Sequence, residues 1–151
     1  SDAYHVAATH PDGLGAIYAM ESAMQDAGIS PKDVDYINAH ATSTPIGDIS
    51  ECKAIEKVFA GNLDKINISA TKSMTGHLLG AAGSIESIAC VKAITHNVIP
   101  PTINLTEIDP EINQTLNFTQ NKACEKEVKI AINNTFGFGG HTSTTIFKKY
   151  E

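Results

Sequence analysis

The sequence contains no uninterrupted apolar run of the roughly 18 residues that a membrane-spanning helix requires, so no membrane partner is expected. Basic residues are scarce, because 11 lysine plus arginine against 17 aspartate plus glutamate give a formal net charge of −6. This balance argues against nucleic acid or an anionic membrane surface as the main partner.

Cysteine is rare as well. Cys52, Cys90 and Cys124 form an odd, sparse set that suggests no disulfide framework and fits a reducing compartment. Their spacing matches no common zinc pattern, and the six histidines include no His-x-x-x-His pair. We therefore expect no catalytic metal.

The remaining composition is that of a globular protein. The chain has 151 residues, of which 42% are hydrophobic and 19% charged, which is enough to bury the core of one domain. It shows no internal repeat and begins with Ser1-Asp2-Ala3 rather than with methionine. We therefore expect an excised piece or a processed product of a longer chain.

Hydrophobic periodicity and turn residues divide the chain into alternating helices and strands. Helices are predicted over 14–27, 48–60 and 80–96, and strands over 34–39, 66–70, 128–132 and 144–148, with an irregular polar stretch over 102–127. The helix over 80–96 is apolar almost all round, which predicts packing on several sides. The alternation predicts a layered α/β domain.

Three of the predicted strands end in unusual loops. One leads to His40, the second to Lys72 and His77, and the third to the turn Phe136-Gly137-Phe138-Gly139-Gly140. Functional groups of α/β sheets gather at the carboxyl ends of strands, so parallel strands would bring these loops to one site.

Each candidate also has an ordinary structural interpretation. His40 is either a hydrogen-bonded structural histidine or a catalytic imidazole. His77 precedes the apolar helix, whose positive end favours a neutral ring. Lys72 is either a solvated surface lysine or the partner of Glu86, a carboxylate inside that helix that needs a counter-charge if it is buried. We predict a Lys72–Glu86 pair.

The Phe-Gly turn is either a tight turn with two packed rings or a movable flap. A phosphate cradle is the weaker interpretation, because the glycine spacing matches neither common phosphate-binding fingerprint.

Three longer motifs carry a family resemblance: NAHATSTP over 38–45, SATKSMTGHLLGAAG over 69–83 and NTFGFGG over 134–140. With them, the chain resembles the C-terminal half of type I and type II β-ketoacyl-[acyl-carrier-protein] synthases, the elongating condensing enzymes. The resemblance covers residues 1–151 and implies a thiolase-like half, in which a mixed sheet is packed between helices.

The resemblance also implies residue roles. His40 and His77 match the two histidines of the family's Cys-His-His triad, Lys72 matches the active-site lysine, and Glu86 matches the acidic residue of the same network. Two imidazole donors aimed at a thioester carbonyl stabilise the negative charge that develops there when a malonyl thioester loses carbon dioxide. The histidine at 77 favours elongation, because initiating synthases usually carry asparagine there.

Substrate-binding positions follow from the same resemblance. Phe138 matches the gating phenylalanine, with Phe136 beside it, and Thr42 and Thr44 match the threonines that hold the phosphopantetheine arm. That arm arrives on the acyl carrier protein, so no cofactor of the chain's own is expected. Asn38 and Glu86 match positions associated with a structural monovalent cation in some members.

The family's nucleophilic cysteine lies in the N-terminal half, at a strand-to-helix turn among small residues. None of the three cysteines here has that setting, so we interpret them as packing or surface thiols. The chain alone is therefore expected to be inactive, and the full-length enzyme to be a homodimer. The alternatives are the same half of a polyketide ketosynthase or its chain-length partner, and a non-catalytic module that binds a carrier protein.

Two departures from the common bacterial pattern bear on origin. Ala41 stands where many bacterial members carry glycine, and His141-Thr142 stands where Thr-Asn is common. Both resemble plastid-type enzymes. The resemblance therefore implies either a plastid or apicoplast stroma or the bacterial cytoplasm.

Overall fold

The computed structural model describes residues 1–150. Its longer helices are α1 (Leu14–Ala27), α2 (Gly47–Val58) and α4 (Ala82–His96), with a single turn, α3 (Lys72–Thr75), between them. The strands are β1 (Tyr36–Asn38), β2 (Asn67–Ser69), β3 (Val98–Ile99), β4 (Cys124–Glu125), β5 (Ile130–Gly137) and β6 (His141–Lys148). No helix of the described part is long and apolar enough to cross a membrane.

The main sheet has four strands in the order β2-β1-β5-β6. Strand β1 pairs in parallel with both β2 and β5, and β5 pairs antiparallel with β6. The sheet is therefore mixed, and three strands direct their carboxyl ends to the same edge, as the convergence of the loops requires.

Helices cover both faces of this sheet. Alternate residues of a strand point to opposite faces, so Ile37 and Ile132 lie in the core under α1 and α2, while Tyr36 and Ala131 lie in the core under α4. Helix α1 ends at Gly28, whose φ of +64° lets its N–H donate to the Gln25 carbonyl. The predicted α/β layering is confirmed.

Several predicted boundaries were wrong. The strand predicted over 128–132 begins at Ile130 and continues to Gly137, because it pairs with β6 along its whole length. The turn proper is therefore Phe138–Gly140, with Phe136 inside the strand. The loop predicted over 71–77 contains α3, and the irregular stretch over 102–127 contains β4, which pairs with β3.

Helix α4 also departs from expectation within this chain. One face packs on the sheet through Cys90, Ala93 and Ile94. The opposite face leaves Ile85, Ile88 and Val91 exposed, so packing on several sides was wrong for the described residues.

Candidate active site

The carboxyl ends of β1, β2 and β5 bring the predicted side chains together. The imidazole centroids of His40 and His77 lie 5.8 Å apart, with their planes at 89°. On its other side, the His40 ring lies 5.2 Å from the ring of Phe136. The convergence predicted from the strand ends is confirmed.

His40 is held as a neutral imidazole. Burial is the main cause that lowers its pKa to about 3, and the nearby Lys72 ammonium and His77 lower it further. Its Nδ1 atom is buried and has no hydrogen-bond partner among the described residues. A buried polar atom without a partner is costly and is typical of a site that binds something.

His77 has a defined tautomer. Its Nδ1 accepts a hydrogen bond from the backbone N–H of Leu79 at 3.1 Å, so the ring proton of the neutral form is on Nε2. The residue precedes α4 by several positions, because a 3₁₀ turn over Leu79–Ala81 intervenes, so the ring does not lie at the first turn of that helix. A backbone amide orients the ring instead.

The predicted pair of Lys72 and Glu86 is confirmed. The Lys72 ammonium contacts Glu86 Oε1, and the two side chains are only 5% and 2% exposed. Burial raises the pKa of Glu86, and the hydrogen bond and charge of Lys72 oppose that rise. Lys72 opens α3 directly after β2, and Glu86 belongs to the first turns of α4, so the pair joins the two ends of the loop that carries His77.

Sequence reasoning missed a second buried carboxylate, Glu51. Its two oxygens accept hydrogen bonds from the backbone N–H groups of His40 and Ala41, both at 2.9 Å. Ala41 has a φ of +32°, a conformation that these bonds support. Glu51 lies on the same helical face as the buried Ala54 and Ile55, and this spacing is the sequence signal that could have identified it, although α2, unlike α4, has several other charged residues.

The two candidate threonines lie on the loop between β1 and α2. Their hydroxyl oxygens are 3.2 Å apart, with Thr42 half-buried and Thr44 exposed. A Cβ atom on Gly47 would lie 2.3 Å from Thr44 Oγ1. The glycine therefore leaves room for the Thr44 hydroxyl at this position.

The two phenylalanines separate. Phe136 is buried against His40, whereas Phe138 lies on the turn and is 81% exposed. The expectation that both rings belong to one flap was wrong, because Phe136 is a strand residue. Only Phe138 is placed as a movable gate would be.

The expected monovalent cation would lie among the oxygen atoms near Asn38 and Glu86. Glu86 Oε2 and Asn133 Oδ1 are buried oxygen atoms without a hydrogen-bond donor. Asn38 and Asn133 are paired across β1 and β5, and both donate to backbone carbonyls of the first turns of α4. Oxygen atoms are the ligands that hard cations prefer, so these residues fit such an ion, and its presence stays a prediction.

None of the cysteines is placed as a nucleophile. All three are free thiols, with Cys90 fully buried and the other two half-buried. Burial raises the pKa of Cys52 and of Cys90, which keeps both as unreactive thiols. Within the described residues, no group of three or more histidine, cysteine or acidic side chains is arranged to hold a metal ion.

Comparison with known sequences gives consistent matches. Residues 1–106 match the family described as the C-terminal domain of β-ketoacyl synthase. The 3-oxoacyl-[acyl-carrier-protein] synthase 2 of Staphylococcus aureus is 48% identical over 150 residues, which are 99% of this chain and 36% of the relative. The enzyme of the same name from Synechocystis has the same identity and the same coverage.

Solved structures agree. A β-ketoacyl synthase from Burkholderia phymatum matches with a TM-score of 0.91 and 34% identity, over all of this chain and 36% of that one. A type II polyketide acyl-carrier protein in complex with its ketosynthase bound to the hexaketide matches with a TM-score of 0.94 and 37% identity. The match covers 99% of this chain and 36% of that one. The chain thus spans about a third of the length of the relatives it matches.

Proposed function

The chain belongs to the β-ketoacyl synthase family, as its C-terminal domain, and from this premise we propose that it is the C-terminal part of a 3-oxoacyl-[acyl-carrier-protein] synthase. The full-length acyltransferase condenses a malonyl thioester on the carrier protein with an acyl thioester, with loss of carbon dioxide, and so elongates fatty acids. The observation that carries the proposal is the convergence of His40 and His77, 5.8 Å apart, at the carboxyl edge of the sheet.

The proposed chemistry depends on the N–H donors of the two imidazoles. When the malonyl thioester loses carbon dioxide, the electron pair of the broken bond passes into an enolate, and negative charge develops on the thioester oxygen. His40, which burial keeps neutral, and His77 can each donate one N–H to that oxygen. Removal of one such donor typically lowers the rate by a factor of about 10²–10³.

Lys72 and Glu86 have a supporting role in this proposal. Their buried ion pair joins the loop that carries His77 to α4 and places a positive charge near His40. Burial is the main cause that keeps His40 neutral, and this charge adds to it. The neutral ring still has one N–H that can donate a hydrogen bond. The enolate carbon then attacks an acyl group held on a cysteine in the part of the enzyme outside this chain.

The carrier protein is the proposed partner, and its phosphopantetheine arm is the proposed ligand of Thr42 and Thr44. The two hydroxyls are 3.2 Å apart beside the histidines and can hydrogen-bond to an amide-rich arm. Phe138, which is exposed on its turn, is the proposed gate of the entrance.

The missing N-terminal half is the proposed occupant of the exposed face of α4. Ile85, Ile88 and Val91 form an apolar stripe on a helix that otherwise belongs to the core. The full-length enzyme is proposed to act as a homodimer in the bacterial cytoplasm or in a plastid or apicoplast stroma, and the relatives named above are bacterial.

A second candidate is the same part of a polyketide ketosynthase or of its chain-length partner. The 37% sequence identity to the polyketide ketosynthase complex supports this second candidate. The two candidates share the two-histidine chemistry and differ in the acyl chain that is extended and in the residue at the nucleophile position.

The test uses the full-length protein that carries this chain. It is incubated with acyl-carrier protein and malonyl-carrier protein, and the products are identified by mass spectrometry. A 3-oxoacyl-carrier product two carbons longer than a saturated acyl primer supports fatty-acid elongation. Extension of a poly-3-oxo primer alone supports the polyketide candidate, and carrier binding without release of carbon dioxide supports a non-catalytic module.

A further inference from the structure

A buried polar chain connects the edge strand of the sheet to the backbone of His40. Thr144 on β6 donates its hydroxyl to Asn134 Oδ1 at 2.8 Å. Asn134 on β5 donates from Nδ2 to Glu51 Oε1 at 3.1 Å. Glu51 in turn accepts from the backbone N–H of His40 at 2.9 Å. Side chains from β6, β5 and α2 thereby meet behind the candidate active site.

Asn134 occupies the central position of this chain. It is fully buried, its amide oxygen accepts from Thr144 on β6, and its amide nitrogen donates to Glu51 and lies 3.6 Å from Met20 Sδ. An asparagine amide offers a donor and an acceptor on two separate atoms and carries no charge. Asn134 and Thr144 are directly paired across the two strands, so the register of β5 and β6 fixes the amide.

The charge of Glu51 gives this contact its importance. Burial raises the pKa of the Glu51 carboxyl, and the bonds from Ala41, His40 and Asn134 oppose that rise, while Asp48 on the same helix adds to it. A protonated Glu51 would carry a hydrogen on one oxygen, which would then be a weaker acceptor for its backbone N–H group. The Asn134 donor therefore helps to keep both acceptor positions available.

We propose that Asn134 is a positioning residue, which acts through Glu51 to hold the backbone of His40 and Ala41 where the His40 ring meets the thioester. This inference rests on the proposed function, since it assigns His40 to the reacting carbonyl. Strand β5 thereby orients His40 twice, through the Phe136 ring beside it and through Asn134 behind it. Asn134 itself touches no substrate.

The first test replaces the amide by a group of the same shape and different charge. In Asn134→Asp, a protonated carboxyl donates its single hydrogen to Glu51 and accepts from Thr144, and so reproduces the native contacts. When the pH rises, that proton is lost, and two carboxylates face each other in a buried site. We expect kcat of the full-length Asn134→Asp enzyme, relative to wild type, to fall progressively with rising pH, with little change in KM for the malonyl substrate.

Asn134→Leu removes both hydrogen bonds and should lower kcat at every pH. A hydrogen bond to a charged group contributes enough free energy to predict that kcat falls about tenfold to a hundredfold. Thr144→Val removes only the outer bond and should cost less. Thr145→Val is the matched control, since Thr145 is the next residue of β6 and is exposed. It should leave kcat unchanged.

A second readout needs no catalysis. Amide hydrogen exchange of the peptide containing His40 and Ala41, followed by mass spectrometry, should accelerate in Asn134→Leu and in Asn134→Asp at high pH, and not in Thr145→Val. If the wild-type enzyme is inactive but exchange responds in this way, the proposed function fails and the positioning contact stands. If the kcat profile of Asn134→Asp parallels wild type at all pH values and exchange is unchanged, the positioning role is overturned.

Discussion

The buried ion pair of Lys72 and Glu86 allows a quantitative prediction. The side chains are 5% and 2% exposed, so neither charge has water to replace a lost partner. Removing one member of such a pair typically costs about 3–5 kcal/mol, because the other charge stays buried and uncompensated. We expect Lys72→Met in the full-length protein to lower the free energy of unfolding by that amount at neutral pH.

The pH dependence of this variant has a definite sign. Burial already raises the pKa of Glu86, and without the ammonium the pKa rises further, so the folded variant holds a proton that the unfolded chain releases. Stability contributed by a raised pKa is present below the unfolded value and is lost as the pH rises. The destabilisation of Lys72→Met should therefore be smaller at pH 5 than at pH 8.

A double-mutant cycle measured by urea unfolding completes the test. The double variant Lys72→Met, Glu86→Leu removes both charges and should be less destabilised than the sum of the single variants by more than about 1 kcal/mol. Lys129→Met is the control, because its partner Glu127 is 3.7 Å away and both side chains are more than 60% exposed. It should change stability by less than about 1 kcal/mol. Additivity of the single variants within about 0.5 kcal/mol would refute the reasoning.

Two further predictions concern the loops of the site. Gly47→Ala should displace the Thr44 hydroxyl and raise KM for the carrier-linked substrate several-fold at unchanged kcat. Gly80→Ala is the control, because the space at its Cβ position is open, and it should leave KM unchanged. An equal rise of KM in both variants would exclude the steric cause. The ring of His40 should stay neutral between pH 5 and pH 8 in an NMR titration, because its pKa is about 3. A midpoint near 6.5 would contradict that protonation state.

The parts of the site that the sequence predicted were those with local signals. The polar loops after β1, β2 and β5 follow apolar strands, and parallel pairing of these strands brings their carboxyl ends together. Glu86 was identifiable because a carboxylate in an apolar helix needs a counter-charge, and Lys72 lies on the polar loop that precedes this helix. These inferences need only strand direction and the cost of burying a charge.

The parts that the sequence did not predict depend on tertiary contacts. Helix α2 has many charged residues, so Glu51 does not stand out until its helix is packed against His40 and Asn134. The length of β5 depends on its pairing with β6, which extends the strand through Phe136 into a stretch whose glycines favour a turn. The orientation of His77 depends on one amide, that of Leu79.

The central claim is that the imidazoles of His40 and His77 stabilise the charge formed when a malonyl thioester loses carbon dioxide. The most direct measurement is the rate of carbon dioxide release from malonyl-carrier protein by full-length His77→Ala, with transfer of the acyl group to the enzyme measured in parallel. His96→Ala, at the exposed end of α4, serves as the control. We expect the rate of carbon dioxide release by His77→Ala to fall by a factor of about 10²–10³, while acyl transfer to the enzyme is retained. Release at the wild-type rate in His77→Ala would contradict it.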